Sequence, residues 1–316
     1  MTDDHGKIPA SRGAAARRTV LTAAAGAAAL LATGAASASA APAAPRSARA
    51  AALARLRELE RSHGARLGAV ARDTVTGATL LYRAGERFPL CSTFKTLAVA
   101  AVLRDLDRRG EVLRRRIRYT EDDLVENSPR TEENVARGMT VAALCDAAIR
   151  YSDNTAANLL LRELGGPAAV TRFCRTLGDA TTRLDRWEPE LNTAEPWRVE
   201  DTTTPAAIAA DYQRLVLGDA LGRGDRALLT GWLLGNTTST HRFRKGLPAD
   251  WRLADKTGGG AYGTNNDVGI AWRPDGTPVV LAVLTTKPDP RAATDDPLVA
   301  GAATVLADFL GAGAGS

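Results

Sequence analysis

The sequence predicts a two-lobed fold of the α+β (α/β) class, in which an antiparallel sheet formed by both chain ends is flanked by helices. Two observations support this prediction: strand patterns occur only near the two ends of the folded region, and a long helical stretch separates them. That stretch, from Ser92 to about Gly235, would be an all-helical lobe inserted into a sheet lobe. Because ligand sites favour clefts between lobes, we expect the active site at the junctions near Ser92 and Lys256.

The elements follow in order from the residue pattern. Leu67–Arg72 and Thr79–Tyr82 are short strands joined by a turn around Thr76–Gly77. Good helix formers, with Gly or Pro near most breaks, predict helices at 92–108, 140–150, 153–164, 167–177, 203–217 and 222–234. A long polar loop at 183–201 interrupts them, and loops of this length are usually functional. Three strands and an alanine-rich helix close the chain at 251–258, 264–273, 278–286 and 292–311.

The chain begins with a segment typical of export signals. Arg17-Arg18 is a twin-arginine start, and an alanine-rich stretch then leads to small-residue cleavage sites at 36–40. The stretch is too short and too rich in alanine to predict a membrane span. We therefore expect a secreted protein, exported through the twin-arginine pathway and free of the membrane after signal removal. The expected boundaries are a signal peptide at 1–40, a flexible segment at 41–50, a folded domain at 51–312 (helical lobe about 91–235, sheet lobe about 51–90 plus 236–312) and a tail at 313–316.

Composition argues against several classes of function. Residues 1–40 hold four basic and two acidic side chains, so their removal lowers the net charge from +5 to +3. Aromatic residues make up only 5% of the chain, and acidic residues are interspersed among the arginines, so nucleic acid is not an expected partner. The three cysteines, Cys91, Cys145 and Cys174, and the three histidines lack metal-ligand spacing. We expect no metal, no other cofactor and no Ser-His-Asp triad.

The motif Ser92-Thr93-Phe94-Lys95 places a hydroxyl nucleophile and an amine three residues apart. If Ser92 opens the helix that follows, both side chains share one face, and the Lys95 amine reaches the Ser92 hydroxyl. The positive helix terminus would also favour negative charge beside Ser92. Only 5 of the 41 basic residues are lysines, and lysine, unlike arginine, can be deprotonated at tolerable cost. The pair predicts a serine activated without histidine, although taken alone the motif would fit a helix N-cap followed by a solvated lysine better.

Two more motifs add polar groups at the expected junctions. Ser152-Asp153-Asn154 is an ordinary capping sequence, but it also offers a hydroxyl that can shuttle protons and an amide that can hold a substrate carbonyl. Lys256-Thr257-Gly258 lies in a predicted strand and is followed by Gly259 and Gly260, which let a substrate backbone approach closely. The functional interpretation of this second motif is an anion site with strand-like pairing to an acylated substrate.

Glu188 is the carboxylate of interest in the polar loop. It lies between Trp187 and Pro189, a setting that suggests a rigid and partly buried position. We expect Asp201 to pair with Arg186 and close the loop, which would hold Glu188 inward against the nucleophile.

In this order and spacing, the motifs resemble those of the class A serine β-lactamases, over about residues 50–312. Asn158, the segment Asp201-Thr202-Thr203-Thr204-Pro205 and the segment Asn236-Thr237-Thr238 are also similar to this family. The resemblance implies the β-lactamase/transpeptidase-like fold and hydrolysis of the β-lactam amide bond of penicillins and cephalosporins, and hence resistance to them. It implies a monomer that acts on small-molecule β-lactams.

The resemblance also implies roles in catalysis. Ser92 would attack the lactam carbonyl and become acylated, while Lys95, and Glu188 acting through a water, are both implicated in removing its proton. Which of the two is the acylation base stays open. Glu188, helped by Asn192, would activate the water that deacylates the enzyme, and Ser152 would relay a proton to the lactam nitrogen.

Other positions would bind substrate or support the site. Asn154 would bind the substrate's side-chain amide, and the backbone N–H groups of Ser92 and Gly259 would form the oxyanion hole. Lys256, Thr257 and Arg242 would form the pocket for the substrate carboxylate, with Gly258 beside them. The resemblance implies supporting roles for three residues: Arg186, Asp201 and Asn158.

The chain also departs from the family pattern. Asn127 stands where the family often places an aromatic residue at the cleft rim. Gly260 and Val99 occupy the places of the usual disulfide partners of Cys91 and Cys145, so the resemblance implies no disulfide. As in the family, the Glu188–Pro189 bond is a candidate cis peptide.

Two rival functions share part of this chemistry. A penicillin-binding DD-peptidase has the same serine and lysine motifs but releases its acyl group slowly, and it has no need of the base on the Glu188 loop. A non-catalytic β-lactam sensor would acylate and signal, but a release signal and the lack of a membrane span argue against it. The sequence leaves the preference among penicillins, cephalosporins and carbapenems open.

Overall fold

The two chain ends build one antiparallel sheet, as predicted. The structure is a computed structural model that describes Met1, residues 44–107 and residues 109–312. Its strands are β1 (Arg66–Asp73), β2 (Thr79–Tyr82), β3 (Phe88–Pro89), β4 (Arg116–Ile117), β5 (Met139–Thr140), β6 (Thr202–Thr203), β7 (Arg252–Gly260), β8 (Thr264–Trp272) and β9 (Pro278–Thr286). Five of them form the main sheet in the order β2-β1-β9-β8-β7, so β9 joins the N-terminal hairpin to the C-terminal strands. Strand β7, which carries Lys256, is therefore an edge strand.

Helices cover the sheet and fill the segment between its two halves. They are α1 (Ala44–Ser62), α2 (Phe94–Ala101), α3 (Glu111–Arg114), α4 (Pro129–Glu132), α5 (Val141–Arg150), α6 (Asn154–Leu164), α7 (Ala168–Thr176), α8 (Pro205–Val216), α9 (Arg223–Leu234), α10 (Phe243–Gly246) and α11 (Asp296–Ala312). The run from α2 to α9 forms the inserted lobe, which is mainly helical rather than all-helical as predicted, because the paired strands β4 and β5 and the strand β6 also lie in it. None of the helices described is long and apolar enough to cross a membrane.

The apolar core is divided by the sheet. Successive side chains of a strand point to opposite faces, so β9 contributes Val279 and Leu281 to one cluster, and Val280 and Ala282 to the other. The first cluster includes α1 and α11, and the second includes the helical lobe. Full burial of a side chain of this size contributes about 1.5–3 kcal/mol, so both layers hold the sheet in place.

Helix α1 differs from the sequence prediction. It begins at Ala44, within the segment 41–50 that the sequence predicts to be flexible. Ala52 and Leu56 are buried and Leu59 is half-buried, a spacing that places all three on one helix face against α11. The proposed signal peptide beyond Met1 and the tail 313–316 lie outside the described residues.

The nucleophile segment is fixed at the junction of the two lobes. The predicted helix 92–108 is divided into a 3₁₀ turn at Cys91–Thr93, helix α2, and a π-helical turn at Val102–Leu106. Just before it, β3 pairs with β6, and the Leu90 N–H donates to the Asp201 carbonyl at 2.8 Å. This ladder ties the start of the nucleophile segment to the end of the polar loop.

Candidate active site

A cleft of about 330 Å³ opens between the helical lobe and the edge of β7. Most of the residues predicted to touch substrate line it: Ser92, Ser152, Asn154, Asn192, Arg242, Thr257, Gly258 and Gly259. The remaining predicted residues, Lys95, Glu188 and Lys256, are buried behind this wall. The cleft therefore exposes hydroxyl, amide and guanidinium groups and keeps its other charges out of solvent.

Ser92 is held in a strained turn against β7. The preceding Cys91 has φ of +43°, a left-handed conformation that is unfavourable for a residue other than glycine and that recurs at functional sites. A Cβ atom at Gly258 would lie 3.0 Å from the Leu90 carbonyl oxygen and 3.3 Å from the Ser92 nitrogen. Glycine at 258 thus lets the edge strand lie directly beside Ser92.

Lys95 is fully buried and bonded to acceptors from three elements. Its Nζ donates to the Ser152 carbonyl at 2.7 Å and to Asn154 Oδ1 at 2.6 Å, and it lies 3.0 Å from Glu188 Oε1. Burial lowers the pKa of Lys95, while the carboxylate of Glu188 opposes that shift. The predicted direct bond from Lys95 to Ser92 is not formed. Glu188 Oε1 links the two instead, because Ser92 Oγ donates to it at 3.4 Å.

Glu188 is held from both sides of its peptide unit. Its backbone N–H donates to Asn158 Oδ1 at 3.0 Å, and its carbonyl accepts from Asn158 Nδ2 at 2.8 Å. Its Oε2 accepts a hydrogen bond from Asn192 Nδ2, and the bond to Pro189 is cis, as predicted. With Glu188 only 2% exposed, these contacts keep its carboxylate directed at Ser92 and Lys95.

The polar loop is closed by the predicted pair of Arg186 and Asp201. Arg186 Nε donates to Asp201 Oδ2 at 2.5 Å, and Asp201 Oδ1 accepts the backbone N–H groups of Asp185 and Arg186 at 2.7 and 3.0 Å. Asp201 is 1% exposed, so its charge is compensated almost entirely by these donors. The pair joins the two ends of the loop that presents Glu188.

Replacing Arg186 with serine should loosen this loop. We expect the variant to lose about 1–3 kcal/mol of unfolding free energy, because one oxygen of the buried Asp201 carboxylate loses its charged donor. In the acyl-enzyme mechanism that the resemblance implies, deacylation should slow as Glu188 is held less firmly. Chemical denaturation and steady-state kinetics on several substrates measure both effects.

Arg183→Ser is the matched control for that variant. Arg183 lies in the same loop but pairs with Asp185 at a more exposed position, where an ion pair is worth about 0.2–1 kcal/mol. Equal losses in the two variants, or an unaltered kinetic profile for Arg186→Ser, would contradict the role of the Arg186–Asp201 pair.

Ser152 lies between the two buried lysines. Its Oγ accepts from Lys256 Nζ at 3.0 Å and from Lys95 Nζ at 3.4 Å, which leaves its own proton free to be donated into the cleft. Burial lowers the pKa of Lys256 well below its ordinary value, and the nearby charges of Lys95 and Arg242 lower it further. Ser152 also adopts a positive φ, +58°, so both candidate hydroxyls of the cleft depend on strained backbone.

Arg242 and Thr257 form the cationic and hydroxyl wall predicted for an anion. The Arg242 guanidinium donates to Asp296 at 2.8 Å and to the Gly258 carbonyl at 3.0 Å, which fixes it against β7. Thr257 Oγ1 lies 2.5 Å from the hydroxyl of Thr238. Because β7 is an edge strand, alternate N–H and C=O groups beside this wall are directed away from the sheet, toward the cleft.

Some lining residues were missed by the sequence predictions. Tyr151 and Thr238 line the cleft next to predicted motifs: Tyr151 directly precedes Ser152, and Thr238 ends the Asn236-Thr237-Thr238 segment. Tyr151 is flanked by the guanidinium groups of Arg130 and Arg150, at 5.1 and 5.4 Å from its ring. Their positions next to predicted motifs are the sequence feature that could have identified both residues.

The contacts of Asn154 differ from those expected of a residue that binds the substrate's side-chain amide. Its Oδ1 accepts from Lys95, and its Nδ2 donates to the Glu126 carbonyl at 2.8 Å. It lines the cleft, but both ends of its amide are already bonded within the protein. Asn127 Nδ2 lies 3.5 Å from the Ser152 carbonyl and occupies the rim.

Within the described residues, one group has metal-like geometry, and it lies outside the cleft. Candidate ligand atoms of Cys174, Asp179 and Asp211 lie within 4.8 Å of one another, and all three residues are buried. Burial and the neighbouring Asp179 raise the pKa of Asp211 to about 9, so the Asp211 carboxyl keeps a proton at neutral pH. This chemistry favours a shared proton between the two carboxyls. All three cysteines are free and buried.

A second cavity of about 360 Å³ lies elsewhere on the helical lobe. Arg116, Arg130 and Arg137 line it, with Asp146 on its wall. It contains none of the predicted catalytic or substrate-binding residues, so the cleft at Ser92 is the site that the motifs identify.

Comparison with known proteins gives one consistent family. A sequence profile of the beta-lactamase enzyme family matches residues 51–310. The chain is 64% identical over 299 residues to a beta-lactamase from Streptomyces lavendulae, covering 93% of this chain and 97% of that protein. Among solved structures, the beta-lactamase from Streptomyces albus G aligns with a TM-score of 0.80 at 64% identity, covering 81% of this chain and 98% of that one. A beta-lactamase from Desulfarculus baarsii aligns with a TM-score of 0.82 at 51% identity, covering 83% and 98%.

Proposed function

The chain belongs to the class A serine β-lactamases, hydrolases that act on β-lactams, and from this premise we propose that it hydrolyses penicillins and cephalosporins through an acyl-enzyme on Ser92. One observation supports this mechanism above the others. Glu188 Oε1 lies 3.4 Å from Ser92 Oγ and 3.0 Å from Lys95 Nζ, inside a wall that opens onto the cleft. Nucleophile, carboxylate and amine are thus in contact without a histidine.

Acylation requires the Ser92 hydroxyl to lose its proton as its oxygen attacks the lactam carbonyl. The proton goes to the neutral Lys95 amine, or to Glu188 through a water. The lowered pKa of Lys95 supports the first route, and the contact between Ser92 and Glu188 supports the second. The backbone N–H groups of Ser92 and Gly259 stabilise, by hydrogen bonding, the negative charge that develops on the carbonyl oxygen.

Opening of the lactam ring requires a proton on the departing nitrogen. Ser152 is the proposed donor, because its oxygen accepts from Lys256 and Lys95 and its proton remains available to the cleft. After donation, Lys95 can pass to Ser152, across 3.4 Å, the proton that it took from Ser92. The cycle therefore needs no group outside the buried cluster.

The substrate carboxylate is the proposed partner of the cationic wall. Arg242 and Thr257 line the cleft beside Ser152, and Lys256 lies directly behind them. An arginine fixed against the edge strand can bind a carboxylate without losing much side-chain entropy. The guanidinium and hydroxyl donors of this wall suit an anionic substrate group such as a carboxylate.

Deacylation is assigned to a water activated by Glu188. The Asn192 side chain donates to Glu188, and its Oδ1 is buried with no hydrogen-bond partner among the described residues. That oxygen can accept a hydrogen bond from the attacking water while Glu188 takes the other proton. Water attack on the ester then restores Ser92 and releases the opened product.

We also propose where the enzyme acts and what its activity does for the cell. Arg17-Arg18 and the small-residue sites at 36–40 support export through the twin-arginine pathway and release as a secreted enzyme. Hydrolysis outside the cell would confer resistance to β-lactams before they reach their targets.

The test is burst and steady-state hydrolysis of a chromogenic cephalosporin and of a penicillin by residues 41–316, with Ser92→Ala as the control. We expect sustained turnover by the unmodified protein and a loss on the order of 10³–10⁶ in the variant. A stoichiometric burst followed by near silence would overturn the proposal in favour of a DD-peptidase or a sensor. Thermal unfolding of both proteins separates loss of the nucleophile from loss of the fold.

A further inference from the structure

Two fully buried carboxyl groups lie beneath the anion-binding wall of the cleft. Asp255 is on β7 and Asp267 is on β8, where Asp267 stands opposite Thr257 and Asp255 stands opposite Gly269. A Cβ atom at Gly269 would lie only 2.8 Å from the Asp255 Cβ, so glycine there gives the Asp255 side chain its space. The two side chains are diagonal neighbours on one face of this strand pair, and two fully buried carboxyl groups placed in this way are not expected both to be ionised.

The donors around the pair indicate which carboxyl carries the proton. Asp255 accepts from Asn236 Nδ2 at 3.0 Å and from Arg244 Nη2 at 3.3 Å, as an ionised carboxylate would. Asp267 accepts only the Phe243 N–H, at 3.1 Å on Oδ2, and its Oδ1 receives no donor from the described residues. Burial raises the pKa of both carboxyls, but the donors around Asp255 oppose the shift there, whereas the neighbouring Asp255 raises the pKa of Asp267 further, well above its ordinary value. The proton therefore lies on Asp267.

One path leads from this pair to Arg242. The Phe243 N–H that Asp267 holds belongs to the peptide unit that begins at Arg242, so this bond fixes the backbone from which the guanidinium extends. Arg242 has an irregular backbone conformation, with φ of −110° and ψ of −115°. Loss of the Asp267 contact would release that conformation.

A second path leads to the hydroxyls of the wall. Asn236, which donates to Asp255, accepts through Oδ1 from the Thr238 N–H at 3.0 Å and from the Thr238 hydroxyl at 2.7 Å. The Thr238 hydroxyl in turn lies 2.5 Å from that of Thr257. The chain Asp255–Asn236–Thr238–Thr257 thus sets the direction of the hydroxyl groups that face the cleft.

We propose that Asp267 is a positioning residue for substrate recognition: as a neutral acid sharing its proton with Asp255, it fixes both Arg242 and the Thr238–Thr257 hydroxyls toward the substrate carboxylate. This rests on the proposed function, which assigns that carboxylate to Arg242 and Thr257. Asp267 itself lies behind the wall and acts only through these groups.

The first test observes the proton directly. Infrared difference spectra between the mature protein and Asp267→Asn at neutral pH should contain the band of a buried neutral carboxylic acid. Asp211→Asn is the matched control, because Asp211 is also a buried protonated carboxyl but lies outside the cleft; it should remove a separate band. A spectrum in which Asp267→Asn removes no neutral-acid band would overturn the proposal.

The second test uses kinetics. Asp267→Asn keeps an N–H donor toward Asp255 and should leave the KM for a penicillin within about twofold, whereas Asp267→Leu should raise it about tenfold or more with a smaller change in kcat. The methyl ester of the same penicillin lacks the carboxylate, so its KM should not respond to Asp267→Leu. Asp211→Asn should change neither value. An unchanged KM for the acid in Asp267→Leu, or an equal rise for the ester, would overturn the proposal.

Arg242→Ala distinguishes failure of this inference from failure of the proposed function. If Arg242→Ala leaves the KM for the penicillin unchanged, the proposed carboxylate pocket fails whatever Asp267 does. If Arg242→Ala raises KM and Asp267→Leu does not, the pocket stands and the role of Asp267 falls.

A proton on Asp267 makes the unfolding free energy depend on pH in a definite direction. The charged and titratable groups around the Asp255–Asp267 pair are Lys256 on β7, Arg242 at the start of α10, Arg244 within α10, and Tyr212 on α8. A carboxyl with a raised pKa contributes stability that is present at low pH and is lost as pH rises from the ordinary aspartate range toward the raised value. The unfolding free energy of the unmodified protein should therefore fall toward alkaline pH more steeply than that of Asp267→Asn. Equal slopes would count against a proton on Asp267.

Discussion

Mature protein carrying Glu188→Ala should form the Ser92 acyl-enzyme and then fail to release it. Glu188 is the buried carboxylate in contact with Ser92 Oγ, and Asn192 holds its other oxygen. Without it, a water near the ester has no base to take its proton, a contribution worth about 10²–10⁴ in rate. Mass spectrometry during turnover of a penicillin should detect a covalent adduct that persists, and steady-state kcat should fall by that factor.

Two variants control for side effects of that substitution. Glu188→Gln keeps the size and the bond to Asn192 but cannot accept the proton, so it should accumulate adduct as Glu188→Ala does. Glu190→Ala removes an exposed carboxylate from the same loop and should turn over normally. Lys95 keeps acceptors at Ser152 and Asn154 when Glu188 is removed, so the fold should survive. Unchanged turnover in Glu188→Ala would remove Glu188 from the mechanism.

The main sheet was predictable because the residue types in its strands match the places that the strands take in the fold. Strand β9 is a run of Val, Leu and Thr, and it forms the centre of the sheet between β1 and β8. Helix α1 was missed because the face formed by Ala52, Leu56 and Leu59 is surrounded by alanine and arginine, which give a weak apolar stripe. Only its packing on α11 and the sheet establishes which face is buried.

The chemistry of the site was predictable from motifs, but its hydrogen bonding was not. Residues three apart on a helix lie on one face, and this spacing predicted that the Lys95 amine would reach the Ser92 hydroxyl directly. The Lys95 amino group nevertheless bonds to Ser152, Asn154 and Glu188, which reach it from other segments of the chain. Competition among acceptors far apart in sequence is a tertiary effect, and helix periodicity contains no information about it. The Asp255–Asp267 pair was missed for the same reason, since only strand register brings these residues together.

Lys95→Ala should lose acylation, the step that Glu188→Ala retains. The amine is fully buried, and burial lowers its pKa, so its neutral form is reached at lower pH than for a free lysine. A neutral amine in contact with the Ser92–Glu188 pair can take the hydroxyl proton, and its removal should slow acylation by about 10²–10⁴. Stopped-flow measurement of the acylation burst gives this rate directly.

The pH dependence of acylation separates the two candidate bases. With Lys95 as the base, the acylation rate rises as pH rises through the lowered pKa of Lys95, and this rise disappears in Lys95→Arg, whose side chain stays protonated. Lys245→Ala, which removes an exposed lysine, should leave the profile unchanged. If instead Lys95→Ala acylates at the normal rate while Glu188→Ala does not acylate, Glu188 is the acylation base and Lys95 serves to hold its carboxylate in place.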